Sequence, residues 1–169
     1  MNKRLITTAV LLVFLALPVA SHAGDTRIGG GATYWTSVDD LDWDGESFDK
    51  DGYSLLASYQ YWEGLFGLEL DCEFLPDRFG ESAIAPQAWL LFGDMIYAGA
   101  GIGTTHTDGE WADDPFYALR AGLNLEILPH IYADINANYR FNDVADFDDK
   151  EHKIDTDTIF LGVALRISL

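Results

Sequence analysis

The amino-acid sequence predicts an all-β fold, an eight-stranded antiparallel up-and-down transmembrane β-barrel that follows a cleaved signal peptide. Three observations lead to this prediction: a short apolar segment near the N-terminus, apolar residues that alternate with polar ones further on, and connections that alternate between short and long. The chain has 169 residues, of which 14% are aromatic. This length suits one domain and is too short for a porin of about 16 strands.

The composition excludes several function classes. The net charge is −18, from 28 acidic and 10 basic residues. Because contacts to phosphate require Lys and Arg, nucleic acid is excluded as a partner. The single cysteine, Cys72, excludes an intramolecular disulfide and any cysteine-based metal cluster.

The first segment, residues 1–23, has the three parts of a secretory signal peptide: a basic start, an apolar run over Leu5–Ala20, and small residues, Ser21 and Ala23, at the two positions that a signal peptidase reads. The apolar run has 16 residues, whereas a spanning helix needs about 20. Cleavage after Ala23 is therefore favoured over a permanent anchor, and residues 24–169 are expected to form one barrel domain.

Apolar residues recur at every second position in eight later segments, which is the pattern of strands with two different faces. The clearest segment is Ile131–Phe141, whose odd-numbered residues are apolar or aromatic and whose even-numbered residues are mostly polar. The predicted strands are Arg27–Thr36, Gly52–Tyr61, Phe66–Phe74, Gln87–Phe92, Met95–Thr104, Tyr117–Ile127, Ile131–Phe141 and Ile159–Leu169. A helix would scatter these apolar residues around its circumference.

The connections between the predicted strands alternate in length. Short turns are expected at Trp62–Gly64, Gly93–Asp94 and Leu128–His130. Long connections are expected at Ser37–Asp51, Leu75–Ile84, Thr105–Asp114 and Asn142–Asp155. A barrel in an outer membrane has short periplasmic turns and long external loops, and with both termini in the periplasm the long connections here fall on the external side.

Two barrels fit this pattern, a soluble lipocalin-like cup with an apolar interior and a membrane barrel with an apolar exterior. Aromatic residues near the strand ends favour the membrane barrel, because they suit the two membrane interfaces. The polar faces carry both signs of charge, which must pair if they face a narrow interior. Inside the membrane barrel we expect Arg120, Arg140 and Arg166 to pair with Glu69, Asp71, Glu73, Glu126 and Asp134.

Together these features resemble the small outer-membrane β-barrels of Gram-negative bacteria, the group of the OmpA transmembrane domain and OmpX-like proteins. The resemblance covers residues 26–169, and it includes a last strand whose apolar face runs from Ile159 to Leu169. It implies a location in the bacterial outer membrane, contact with its lipid and lipopolysaccharide, and insertion by machinery that reads the last strand. The group includes adhesins, structural proteins and enzymes, so the fold does not settle the function.

The first long connection contains a possible Ca²⁺ site. Asp40, Asp42 and Asp44 precede Gly45 in the order of a calcium-binding loop, and Asp51 stands at the twelfth position. The alternative is an acidic, solvated loop without a dedicated ion. A Ca²⁺ or Mg²⁺ ion is the only cofactor that the sequence suggests.

The predicted function is a structural or surface-interaction role through the acidic external loops. The four long connections hold 19 of the 28 acidic residues, and divalent cations would bridge them to anionic lipopolysaccharide. A narrow cation-selective pore lined by Glu69, Asp71 and Glu73 is the alternative. A lipid A-modifying enzyme is less favoured, because His106 and His152 lie in loops without a clear catalytic partner.

Overall fold

A computed structural model of the chain describes residues 24–38, 42–43, 46–47, 51–78, 81–107, 109–146 and 153–169. Regular structure in this part of the chain consists of strands. Helices that are long and apolar enough to cross a membrane are not found among the described residues. The predicted signal peptide, residues 1–23, lies outside them and stays a prediction.

Eight long strands form the wall of the molecule. They are β1 (Asp25–Ser37), β2 (Asp51–Glu63), β3 (Phe66–Arg78), β4 (Glu81–Gly93), β5 (Ile96–Gly103), β6 (Phe116–Leu128), β7 (Ile131–Asp146) and β8 (Lys153–Ser168). Each strand pairs antiparallel with the next. β1 also pairs with β8, from Arg27↔Ser168 to Ser37↔Thr158, and this closes the barrel. The predicted fold class is confirmed.

The two ends of the barrel differ in their connections. At one end, which we name the turn end, β2–β3, β4–β5 and β6–β7 are each joined by two residues. Gly64 and His130 have positive φ angles of 60° and 66° in two of these turns, a conformation that suits glycine best. The opposite end, which we name the loop end, has the longer connections that follow β1 and β5.

The second connection differs from the prediction. A long loop was expected over Leu75–Ile84, but β3 and β4 continue along each other until Arg78 pairs with Glu81. Pro86 obscures this in the sequence, since a residue without an N–H is rare inside a sheet. The backbone carbonyl of Pro86 accepts a hydrogen bond from the N–H of Thr104 at 3.2 Å. In an antiparallel pair the N–H and C=O of one residue point to the same neighbouring strand. The missing N–H of Pro86 therefore faces Thr104, the residue that follows β5, and the structure tolerates it there.

The other long connections also contain short paired segments. Residues Asp42–Trp43 pair with Glu46–Ser47 in the first connection. After β5, His106–Thr107 pairs both with β4 and with Glu110–Trp111. β7 and β8 extend into the predicted connection Asn142–Asp155, up to the pair Asp146↔Lys153. At the loop end, paired strands therefore extend further than the strands that the sequence predicts.

The exposure of side chains alternates along the strands as the sequence predicts. On β8, Val163 and Leu165 are 57% and 56% exposed, whereas Phe160 and Arg166 are fully buried. The outer face is thus apolar and the inner face carries charge, which is the reverse of a lipocalin-like cup. The free energy of exposing so many apolar side chains to water would be prohibitive, and a lipid environment removes that cost.

Candidate functional site

The interior of the barrel contains a dense ionic network. Its buried charged side chains are Arg27, Glu69, Asp71, Glu73, Arg120, Asp134, Arg140 and Arg166. Each lies on the inward face of its strand, where the alternation places it. Such charges are tolerated in a dry interior only when opposite charges and hydrogen bonds compensate them.

Glu69 on β3 is the centre of the network. It accepts a hydrogen bond from Arg120 at 2.8 Å and another from Arg166 at 2.8 Å, and Gln60 donates a third at 2.9 Å. Arg120 also binds Asp71, with 3.0 Å between nitrogen and oxygen. These contacts connect strands that lie on different sides of the barrel, so the network braces the wall from within.

Two further ion pairs lie toward the ends of the barrel. Toward the loop end, Arg140 binds Glu73 and lies 3.7 Å from the ring centre of Phe160. At the turn end, Arg27 binds Asp25 and stacks on Tyr132 at 3.5 Å. Stacking on an aromatic face partly replaces the water that a guanidinium loses on burial.

The predicted lumen residues are confirmed with one exception. Arg120, Arg140 and Arg166 pair with Glu69, Asp71, Glu73 and Asp134 in the described structure. Glu126 does not join them. It is exposed, and its carboxylate accepts the backbone N–H of His130 at 3.1 Å. Glu126, Ile127 and Leu128 at the end of β6 are all exposed, so Glu126 lies where solvent reaches the turn end, and the prediction that it joins the buried network is wrong.

Five large rings pack in the interior over glycines on neighbouring strands. The ring of Trp89 covers Gly101, its cross-strand partner, so that a Cβ there would lie 2.5 Å from the ring. Trp35 covers Gly52 in the same way, at 2.8 Å. Further inward pairs are Trp62 with Gly67, Phe116 with Gly103 and Tyr97 with Gly122. This packing occupies the lumen at several heights.

Outward-facing aromatic residues lie near both ends of the barrel. Phe66 and Phe92 contact each other at the turn end, with 5.3 Å between ring centres. At the loop end Tyr34 lies 5.4 Å from Tyr53, and its hydroxyl donates to Asp51 at 3.0 Å. These positions match the aromatic girdles of a membrane-spanning barrel, whose rings lie at the interfaces between lipid and water.

The structure tests the predicted Ca²⁺ site only in part. Asp51 is exposed at the start of β2 and accepts the hydroxyl of Tyr34. Asp42 lies in the two-residue pairing of the first connection, while Asp40 and Asp44 lie outside the described residues. Within the described part of the chain, His, Cys, Asp and Glu side chains do not form a group of three that could hold a metal ion. The site remains a prediction.

The two described histidines have defined surroundings. The ring nitrogen Nδ1 of His106 lies 2.8 Å from the carbonyl oxygen of Glu110, and the ring lies 4.7 Å from that of Trp111. His130 belongs to the turn between β6 and β7. His152 lies outside the described residues. His106 therefore contributes to a short hairpin at the loop end, and His130 contributes to a turn.

Solved structures of bacterial outer-membrane proteins resemble this chain. Neisserial surface protein A is 11% identical, with a TM-score of 0.67 over 88% of this chain and 100% of that protein. The outer membrane protein AlkL, determined in lipid bilayers, is 14% identical, with a TM-score of 0.52 over 91% and 94%. The fold is that of the small outer-membrane barrels. No protein-family model matches the chain, and no curated protein matches it.

The comparison confirms the predicted resemblance at the level of the fold. An apolar exterior, a charged interior and aromatic rings near both ends are the features that a lipid bilayer requires of such a barrel. The predicted location in the bacterial outer membrane agrees with all of them. At these low identities the comparison shows the fold alone, so the function has to come from the residues of this chain.

Proposed function

We propose that this protein is an integral outer-membrane barrel with a closed lumen, and that it acts structurally or in surface interaction through its acidic loop end. The observation that supports this most is the separation of charge. Inside the barrel, four buried arginines accompany four buried carboxylates. The four predicted long connections instead hold 19 acidic residues and only Lys50, Arg78, Lys150 and Lys153 as bases.

Described acidic residues of the loop end support the proposal. Asp51, Glu81, Glu110, Asp113 and Asp114 are all exposed there. Lipopolysaccharide is anionic, so these carboxylates would repel it unless divalent cations lie between them. Ca²⁺ and Mg²⁺ prefer carboxylate oxygens. The proposed partners are therefore divalent cations and, through them, lipopolysaccharide, while contact of β8 with the barrel-insertion machinery stays a prediction.

A cation-selective pore is less well supported. The acidic residues that would line it, Glu69, Asp71 and Glu73, are engaged by arginines. Aromatic rings pack against glycines across the same lumen. Catalysis on lipid A is also less well supported, because His106 is held against a backbone carbonyl and an indole ring.

Calcium titration calorimetry of the purified barrel in detergent tests the proposal. The test variant replaces Asp40, Asp42 and Asp44 with Asn, and the matched control replaces the turn-end acids Glu63 and Asp94 with Gln and Asn. We expect weak binding, with a Kd of about 10⁻⁴ to 10⁻³ M. The loop variant should lose part of the heat, and the control should retain it. Equal heats in the wild type and the loop variant would contradict the role of the first connection.

A further inference from the structure

In the middle of the barrel, four buried carboxylates face three buried arginines. The carboxylates are Glu69, Asp71, Glu73 and Asp134, and the arginines are Arg120, Arg140 and Arg166. The fourth buried arginine, Arg27, binds the partly exposed Asp25 at the turn end. An uncompensated charge in a buried network is costly, so one of these carboxylates needs a further positive partner.

Asp71 is the carboxylate with the fewest partners. Glu69 receives two arginines and an amide, and Asp134 receives Arg166, the hydroxyl of Tyr97 and an amide. Asp71 shares Arg120 with Glu69 through its atom Oδ2 alone. Among the described residues its other oxygen, Oδ1, has no hydrogen-bond partner, although Asp71 is only 3% exposed.

A second buried acceptor lies beside Asp71. Gln87 on β4 is its direct cross-strand partner and also faces inward. Directly opposite residues have Cβ atoms about 4.5–5.5 Å apart, so their side chains can share one small ligand. Within the described structure the Oε1 atom of Gln87 has no donor either, and the residue is 6% exposed. Each buried acceptor left without a donor costs about 1–3 kcal/mol.

We propose that the lumen binds one monovalent cation of the sodium class between Asp71 Oδ1 and Gln87 Oε1. A carboxylate and an amide oxygen are hard donors, which suit such an ion. A single positive charge compensates the network, whereas a divalent ion would reverse its sign. This site lies in the middle of the barrel, and its ligand differs from the divalent ions proposed at the loop end.

Thermal unfolding in different chloride salts tests the site. The wild-type barrel in detergent is heated in sodium chloride or in N-methylglucamine chloride at equal ionic strength, and the heat-induced shift of its electrophoretic mobility is followed. Sodium should raise the midpoint of the wild type. The increase should be lost in Asp71→Asn and reduced in Gln87→Leu, while Glu81→Gln, an exposed acid of the loop end, should keep it. Equal midpoints of the wild type in the two salts, or a full sodium response in Asp71→Asn, overturn the proposal.

Crystals of the wild type soaked in thallium(I) acetate give a second test that does not depend on the folding of a variant. An anomalous peak in contact with both Asp71 and Gln87 supports the site. A lumen without a peak overturns it. Neither experiment measures binding of Ca²⁺ at the loop end, so its failure leaves the proposed function standing.

Discussion

Replacing Arg120 with Ala is expected to destabilise the barrel severely. The change removes ion pairs of 2.8 Å to Glu69 and 3.0 Å to Asp71, and a 2.6 Å hydrogen bond to Asn138. It also removes the guanidinium that lies 3.9 Å from the ring centre of Trp89. Breaking a buried ion pair by removing one partner costs about 3–5 kcal/mol, chiefly because a buried charge is left uncompensated. We expect a loss of that size in the free energy of unfolding.

Urea unfolding of the barrel in phospholipid vesicles, followed by tryptophan fluorescence, measures this loss. Glu81→Gln at the exposed loop end serves as the control and should change stability by less than about 0.5 kcal/mol. A compensated variant combines Arg120→Met with Glu69→Gln and Asp71→Asn. It should recover most of the loss, because neutral side chains of similar volume need no counter-charge.

Two results would refute this reasoning. A loss below about 1 kcal/mol for Arg120→Ala would mean that water reaches the carboxylates and screens them, contrary to their burial. A compensated variant as unstable as the single substitution would mean that the shape of the arginine, and not its charge, stabilises the barrel.

Further substitutions test the packing and the lipid-facing surface. Gly101→Val places a side chain against the ring of Trp89 and should cost about 1–3 kcal/mol through overpacking. Ala98→Val, outward on the same strand, should be nearly neutral, and equal urea midpoints for the two variants would contradict the packed lumen. Val163→Arg, at the middle of the outer face of β8, should cost about 2–4 kcal/mol in vesicles, whereas Leu128→Arg at the turn end should cost about 0–1 kcal/mol. Equal losses for the two arginines would contradict a membrane-spanning exterior.

The sequence predicts the barrel well because each strand has one face toward the exterior and one toward the lumen, so that apolar and polar residues alternate with a period of two. Ile131–Phe141 shows this clearly: Asp134, Asn136 and Arg140 are buried and Ile135 is exposed, as the alternation requires. The same alternation turns Gln60 of β2 inward to Glu69, although Gln60 is not among the residues that the charge pattern predicts for the network. The partners of each charge could not be predicted, because they depend on which strands face each other across the lumen.

The wrong predictions arise where a local feature interrupts the period. Pro86 hides the first half of β4, since its missing N–H is compatible with a strand only where the neighbouring pairing is interrupted, here between β5 and His106. Glu126 lies in the last, exposed part of β6 at the turn end, outside the buried stretch of the lumen. The acidic loop residues give no comparable signal, because carboxylates in solvated loops have the same sequence pattern whether or not they bind an ion.

Electrical recording across a planar lipid bilayer tests the central claim most directly. Wild-type barrels reconstituted from detergent should insert without opening a steady ion-conducting channel, because arginine–carboxylate pairs and rings over glycines occupy the lumen. A large porin recorded in the same membrane is the positive control. Stable, cation-selective steps of current from the wild type would contradict a closed lumen, and the narrow cation pore would then replace the loop-end function proposed for this chain.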